Sequence, residues 1–389
     1  MFIITCEGFN KIILTREQRV LKILLTGITG LVGASVVTAM LREHDGIDIV
    51  ALCRPGRGIS AQDRVIKVIH EQCAFDGTPE LADKILSHIK VIGGDIKNFP
   101  KEEILSMGPY DVFFHCAADV NLGKDPDGKV LQTNLEGTRN ALEMAHLLKV
   151  KVLHYVSTAY VAGTYSGRVM EGTLPATGFN NSYEKSKFEA EKLVMNCGIP
   201  YTIYRPSIIV GRLSDGLIRK PLAFYRILEF LGKYKKHYCI KNGLKPNAEI
   251  TMNLRLLAGW SDKIYFVPVN YVQAAISRLF FQPVENKCYH ITGESPVTTQ
   301  DIEASVVQTL KFNGLRIVDH ADDLNREEKM VKAMIGDLMP YFLSNITFDS
   351  SNVRAALGPE ILDWKQDLAF LKRMAYSFYK QTSPELVED

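Results

Sequence analysis

Leu24-Leu25-Thr26-Gly27-Ile28-Thr29-Gly30-Leu31-Val32-Gly33 is the stretch on which the reading of this chain turns. The apolar run Ile23–Leu25 leads into it, and Leu31–Leu41 repeats its apolar residues at helical spacing. The glycines therefore fall where a strand gives way to a helix. At such a corner Gly27 can take a backbone conformation closed to other residues. Gly30 lets the main chain approach a pyrophosphate at the helix N-terminus, and Gly33 lets the helix pack closely on the strand. The implied ligand is a dinucleotide, with Thr26, Thr29, Leu31 and Val32 sharing the turn. The spacing is Gly-x-x-Gly-x-x-Gly and not the commoner Gly-x-Gly-x-x-Gly, and a tight structural corner would use glycines the same way, so the rest of the chain has to decide.

Composition narrows the classes. The chain has 389 residues, 46% hydrophobic and 23% charged, enough for one large core or for a core with a smaller domain beside it. A formal charge of +2 gives no overall case for nucleic acid or an anionic membrane surface. The seven cysteines are odd in number and scattered, with no Cys-x-x-Cys pair, which suits reduced thiols in a cytoplasmic protein without a metal site. Phe2–Ile4 is too short and lacks the basic flank of a signal peptide, and no run approaches about 18 apolar residues, so no transmembrane segment is expected. Residues 1–19 read as an extension ahead of the first strand.

Strand and helix alternate from there. Asp48–Cys53 is a strand followed by the turn Arg54-Pro55-Gly56-Arg57. Roughly 20 residues beyond the glycines many dinucleotide folds carry an acid for the ribose 2′-hydroxyl. Here Arg54 and Arg57 stand in its place, suited to a 2′-phosphate that an acid would repel, which favours NADPH. Ile89–Ile92 leads to Gly94-Asp95-Ile96, where an acid at a strand end would meet the adenine. Asp111–His115 leads to Cys116-Ala117-Ala118, whose small side chains let a cofactor lie against the backbone. Val130–Leu148 reads as a helix containing Asn134, Lys151–Val156 as a strand ending at Ser157-Thr158, Ser182–Val194 as a helix, and Tyr201–Tyr204 as a strand ending at Arg205-Pro206-Ser207. This rhythm predicts an α/β fold, a doubly wound parallel sheet covered on both faces. Beyond Gly211 it breaks. The expected division is a Rossmann domain over 20–211 and a mostly helical substrate-binding lobe over 212–389, with Ile264–Ile291 returning to the Rossmann domain and Asn270 capping a helix over Val272–Phe281.

Tyr183 and Lys187 lie four apart, on one face of a helix, where an ammonium can stabilise a neighbouring phenolate. The pattern is cheap, because Tyr376 and Lys380 repeat it near the carboxy terminus. Only Tyr183 follows a hydroxyl-bearing strand end, Ser157-Thr158.

Thr26-Gly27-x-x-Gly30-x-x-Gly33, Gly94-Asp95, His115-x-Ala117-Ala118, Asn134, Ser157-Thr158 and Tyr183-x-x-x-Lys187 together resemble the extended short-chain dehydrogenases/reductases over nearly the whole chain. Gly167-x-Val169-x-Glu171, Asn181-x-Tyr183-Glu184, Arg205-Pro206-Ser207 and Val267-Pro268-Val269 are most similar to the thioester reductases and fatty acyl-CoA reductases. The resemblance implies Tyr183 as general acid, Lys187 lowering its pKa, Thr158 bonding the developing oxyanion and Asn134 supporting a proton relay. It also implies that Lys187, Pro206 and Ser207 join the cofactor set, and that NADPH supplies hydride to an acyl thioester or the derived aldehyde. Asn270 departs from the Asp usual in those relatives.

Three alternatives stay open: a hydroxysteroid- or polyketide-type ketone reductase, a nucleotide-sugar epimerase or dehydratase, and a non-catalytic NADP sensor. Against sugar dehydration, Thr158 is followed by Ala159-Tyr160 and not by Asp-Glu. Arg219 to Lys245 is basic and interleaved with Leu222, Phe224, Ile227 and Leu231. It is expected to line an acyl channel and offer a basic rim to coenzyme A or an acyl-carrier protein. The oligomeric state and the substrate's identity are not legible.

Overall fold

Apolar runs that do not alternate with polar residues belong to strands buried on both faces, and seven of them form the central sheet. The computed structural model describes residues 20–389 apart from Thr173, Ala176, Thr177, Trp260, Ser261, Leu343, Asp363 and Asp389, so the extension over 1–19 lies outside the described residues. The strands are β1 (Leu21–Thr26), β2 (Ile47–Cys53), β3 (Ile89–Gly93), β4 (Val112–His115), β5 (Val152–Val156), β6 (Tyr201–Pro206) and β7 (Lys287–Ile291). They lie in the order β7-β6-β5-β4-β1-β2-β3 and every pairing is parallel. Strand order reverses beside β1, between β2 and β4, and at such a switch point the carboxyl ends of the strands leave a crevice for ligand.

Helices α1 (Leu31–Glu43), α2 (Ala61–Asp76), α3 (Lys129–Leu147) and α4 (Ser182–Met195) connect these strands. After β6 the chain builds α5 (Tyr225–Lys241), returns through α6 (Val269–Leu279) to β7, and then adds α7 (Thr299–Leu310), α8 (Arg326–Ile335) and α9 (Leu368–Thr382). One face of the sheet buries Ile23, Leu25 and Ile49 under Val36, Met40, Val272 and Ile276 of α1 and α6. The other buries Leu24, Val50 and Phe113 under Leu142, Ala190 and Val194 of α3 and α4. Each such side chain contributes about 1.5–3 kcal/mol. A third core gathers Leu228, Leu231, Val306, Leu310, Phe370 and Met374 from α5, α7 and α9, in the stretch expected to form the lobe, and runs on to Leu31, Ala159 and Tyr160 beside the sheet.

Two expectations are corrected. Helix α6 begins at Val269, with Pro268 (φ −64°, ψ 138°) at the capping position, so Asn270 lies inside the helix and accepts instead from the Leu213 amide at 3.2 Å. Proline's fixed φ starts the helix earlier than the asparagine signal implies. The lobe also contains a parallel strand pair that the sequence reading missed, Ile250–Leu257 with Phe312–Val318. Gly314, at φ +84°, breaks its alternation where the register shifts.

Candidate active site

The glycine turn is built by contact as much as by conformation. Gly27 has φ +88°, and a Cβ there would come within 2.6 Å of the Ala117 amide nitrogen; one at Gly33 would come within 2.2 Å of the Gly27 carbonyl. Gly30 stands at the N-cap of α1 with no side-chain capping bond and no acid in the first turn, so the leading N–H groups keep their partial positive charge for an anion. Thr26 is buried with its hydroxyl 2.7 Å from His115 Nδ1, and it accepts from the Ala117 amide at 3.3 Å. Burial holds the His115 imidazole down to about 3, so it is neutral. Thr26 therefore ties β1 to the loop after β4. Thr29 is half-buried in the turn.

The residues expected at the adenine end lie apart from the cavity. Arg54 pairs with Asp95 at 3.6 Å across the ends of β2 and β3, and Arg57 is exposed. Asp95 also accepts from the Lys97 amide at 2.9 Å, while the Ile96 side chain packs on Gly137 of α3, where a Cβ would come within 2.5 Å of it.

A cavity of about 520 Å³ opens at the carboxyl ends of β1, β4, β5 and β6. Gly30, Leu31, Val32, Ala118, Thr158, Tyr183, Lys187, Pro206 and Ser207 line it, which brings together nine of the residues read from the sequence. Tyr183 is the second residue of α4, whose start is fixed by Asn181 accepting from the Glu184 amide at 2.9 Å. One turn later the Lys187 ammonium, 2% exposed, donates to the Val156 carbonyl at 2.7 Å and to the Tyr155 hydroxyl at 3.0 Å. Burial pushes Lys187 down to about 8. Burial pushes the Tyr183 phenol up, and in the protein alone the ammonium is directed at Val156 and Tyr155.

Thr158 accepts from the Tyr160 amide at 3.2 Å and donates weakly to the Pro206 carbonyl at 3.4 Å. Asn134 accepts from the Asp119 amide at 2.7 Å and donates to the Asp119 carbonyl and the Ser186 hydroxyl, both at 2.9 Å. Its amide is thereby committed to clamping the loop after β4 onto α4, a positioning role. Ser157 and Ser207, both lining the cavity, hold buried hydroxyls without a hydrogen-bond partner among the described residues. Unpaired buried hydroxyls at a cavity wall are donors available to a ligand.

The opposite wall comes from the lobe: Leu222, Phe224, Ile227, Leu338, Tyr341 and Phe342. Tyr341 also bonds α4 directly, accepting from Asn181 Nδ2 at 2.9 Å and bonding the buried Glu184. Sequence reasoning found the Leu222–Ile227 portion but not Leu338, Tyr341 or Phe342, which no motif marks and only the tertiary fold brings near. The expected basic rim is largely neutralised. Arg226 pairs with Asp337 at 2.6 Å, Lys236 with Glu385 at 2.6 Å and Lys233 with Glu229, while Lys235 is fully buried against the Leu310 carbonyl. Asp337 and Glu385 arrive from far along the chain, beyond any sequence window.

The motifs around Glu171 and Arg205 brace this frame. Arg205, 0% exposed, donates to Glu191 at 2.6 and 3.0 Å and to the Glu171 carbonyl at 3.0 Å. Burial pushes the Glu171 carboxyl up to about 7. Among the described residues no group of His, Cys, Asp and Glu side chains is placed to hold a metal ion, and no helix is long and apolar enough to cross a membrane.

Comparison with known proteins places this geometry. Residues 25–276 match the family model described as male sterility protein, an NAD-binding family. The chain is 26% identical over 300 residues to the non-canonical nonribosomal peptide synthetase FrzA of Cladobotryum sp, covering 73% of this chain and 27% of that protein. It is 31% identical over 162 residues to the putative fatty acyl-CoA reductase CG8306 of Drosophila melanogaster, covering 40% of this chain and 31% of that protein. The chain thus spans about a third or less of the length of these curated relatives. Among solved structures, a thiolation-reductase di-domain from an archaeal nonribosomal peptide synthetase superposes with a TM-score of 0.72 at 24% identity, covering 94% of this chain and 76% of that one, which establishes a common fold. With its parallel sheet, glycine turn and Tyr183/Lys187 helix in place, the chain belongs to the NAD-binding male sterility protein family.

Proposed function

We propose that this chain is an NADPH-dependent reductase of a carbonyl carried as an acyl thioester, on coenzyme A or a carrier protein, or of the aldehyde derived from it. One observation carries the reading: the cavity has two unlike walls. At one stand Tyr183, Lys187, Thr158 and the unpaired hydroxyls of Ser157 and Ser207; at the other, Leu222, Phe224, Ile227, Leu338 and Phe342. A carbonyl needs the donors and an acyl tail needs the apolar surface. The names of the peptide synthetase and acyl-CoA reductase relatives point the same way.

The protein fits the cofactor that the family implies. Gly27, Gly30 and Gly33 leave the close approach a diphosphate requires, with the uncapped start of α1 facing it. Arg54 and Arg57 would hold a 2′-phosphate, Asp95 and Ile96 would border the adenine, and Ala117, Ala118, Pro206 and Ser207 would lie along the cofactor toward the reacting end. When bound, the cofactor supplies the hydride. The residues of the chain do the rest. The Thr158 and Ser157 hydroxyls donate to the oxygen as negative charge gathers on it. Tyr183, held protonated through neutral pH by its burial, delivers the proton, and the Lys187 ammonium one helical turn away stabilises the phenolate left behind. Buried Ala159 and Tyr160 occupy the place after Thr158 where sugar dehydration needs an acid and a base.

The test is NADPH oxidation by the purified protein with an acyl-CoA, the matching aldehyde and a cyclic ketone. Turnover with the thioester or aldehyde supports the proposal; turnover with the ketone alone replaces it by a ketone reductase. Arg54→Glu should weaken NADPH at least about tenfold by losing a charge-assisted contact and adding repulsion, while NADH changes little. Equal dissociation constants for the two cofactors in the unmutated protein would remove the 2′-phosphate assignment.

A further inference from the structure

Within the basic run that looked suited to an anionic handle, Arg226, Lys233 and Lys236 are spent on ion pairs and Lys235 on a carbonyl, but the first two residues, Arg219 and Lys220, are in no ion pair among the described residues. The segment after β6 crosses the glycine turn on its way to α5. Arg212 lies over the Phe75 ring, 4.2 Å from its centroid, and Arg219 reaches two elements at once. Its Nε donates to Gln72 Oε1 of α2 at 2.7 Å, and its Nη2 donates to the carbonyl of Gly30, the N-cap of α1, at 2.9 Å. The guanidinium is half-buried and makes no direct ion pair among the described residues, with Glu71 and Asp76 attracting it only from farther off, while its remaining N–H donors sit beside the cap that would receive a diphosphate.

Lys220, the next residue, lines the same cavity as Gly30 and also has no ion-pair partner among the described residues. From the other side, Arg64 of α2 donates to the Arg54 carbonyl, again without a carboxylate, and it repels Lys220 closely enough to help hold that ammonium below its usual range, behind desolvation and Arg219. Like charges gathered without a directly paired counter-ion are a cost in the protein alone and a gain when an anion sits among them. A guanidinium donating to a main-chain carbonyl is also fixed in direction before any ligand arrives.

We infer that Arg219 and Lys220, carried by the lobe, form with Arg64 a phosphate-binding clamp over the glycine turn, so that the lobe itself supplies part of the site for an anionic ligand. The phosphate belongs either to the diphosphate of the dinucleotide or to the handle of a coenzyme A-type thioester. The inference rests on the reductase reading for the second source only.

The experiment uses the full chain with Lys220→Ser, Arg219→Met and the charge-preserving Arg219→Lys. NADPH affinity is read by fluorescence titration at two salt concentrations, and KM for an acyl-CoA is compared with that for the N-acetylcysteamine thioester of the same acyl group, which has no phosphate. Lys220→Ser is at an exposed position and is expected to fold. If the clamp holds the cofactor, NADPH binding weakens about tenfold in Lys220→Ser and Arg219→Met and loses part of its salt dependence, with Arg219→Lys between them and the wild type. If it holds the substrate, NADPH affinity stays and KM rises about tenfold for the acyl-CoA but not for the N-acetylcysteamine thioester. No change in either quantity, in variants with wild-type Tm, overturns the clamp. A wild type that reduces neither the thioester nor the matching aldehyde overturns the reductase reading, and the NADPH titration then decides the clamp alone.

Discussion

Lys187 and Lys235 are both buried, both pushed down to about 8 by loss of solvent, and both donate to a main-chain carbonyl, yet they stand in regions of opposite character. Lys187 faces a cavity whose wall holds the unpaired hydroxyls of Ser157 and Ser207. Lys235 is enclosed in the lobe, packed against α7 beside Leu310. A perturbed pKa therefore marks burial, and chemistry is marked by unsatisfied polar groups sharing a space with it. The two Tyr-x-x-x-Lys pairs make the same point, since Tyr376 is 42% exposed and Lys380 pairs with Glu388 at the surface.

The contrast breaks most easily at the tyrosines. Tyr183→Phe removes the transferable proton and little volume, so turnover should fall at least about a hundredfold with NADPH affinity nearly unchanged, and Tyr376→Phe should do nothing measurable. Equal losses at both, in steady-state assays, would mean that the wrong tyrosine has been assigned. Next in size, Lys187→Met should lower kcat at least about tenfold, whereas Lys235→Met leaves kcat alone. The apolar wall gives a smaller, selective effect. Phe342 and Ile227 separate the main cavity from a small apolar void among Leu231, Val306 and Leu315. Phe342→Ala should join the two and raise kcat/KM for longer acyl chains several-fold over shorter ones; an unchanged chain-length profile would place the tail elsewhere.

The smallest expected effect is on stability. A pKa moved from 10.5 to about 8 means that the folded state resists protonation of Lys235, a penalty of about 3 kcal/mol at neutral pH, offset in part by its bond to the Leu310 carbonyl. Lys235→Met should therefore gain about 1–2 kcal/mol, read as a higher Tm. The unfolded state binds the extra proton between the two pKa values, so the gain is complete below about pH 8 and fades as pH rises to about 10.5. A gain that is flat across that window would mean that folding leaves the lysine's pKa unshifted.

The sheet and its turn were legible because they obey local rules. Gly27, Gly30 and Gly33 sit between an apolar strand and an apolar-periodic helix, and each of β1 to β7 is a short run that needs no distant information to be recognised. The polar wall followed from Ser157-Thr158 and Tyr183-x-x-x-Lys187 for the same reason. The lobe was not legible. Ile250–Leu257 and Phe312–Val318 lie far apart in sequence and alternate poorly, and the strand that pairs them is broken at Gly314. Tyr341 and Phe342 reach the cavity from a short 3₁₀ turn, and Arg226 and Lys236 of α5 are paired with Asp337 and Glu385, acids that no window could associate with it. Asn134 was found as a residue, but its side-chain bonds to Asp119 and Ser186 were not; spacing names a side chain but does not say which of its atoms are already engaged.

The chain's route between sheet and lobe has a consequence for how the molecule can open and how it can be made. After α5, β7, α7 and α8, the chain comes back once more as Ile346–Phe348, which pairs in parallel with Gly167–Val169, and Arg168 and Asp349 close that seam at 2.8 Å. It then returns to the lobe as α9. The chain crosses between sheet and lobe repeatedly and not once, so a swing of the whole lobe would have to break the Ile346–Phe348 pairing and the Arg168–Asp349 bridge, whereas loosening a short segment such as the one bearing Arg219 would not. On the ribosome the same stitching keeps Gly167–Val169 unpaired until nearly the entire described chain has emerged, which makes that short strand a late and exposed edge in the nascent protein.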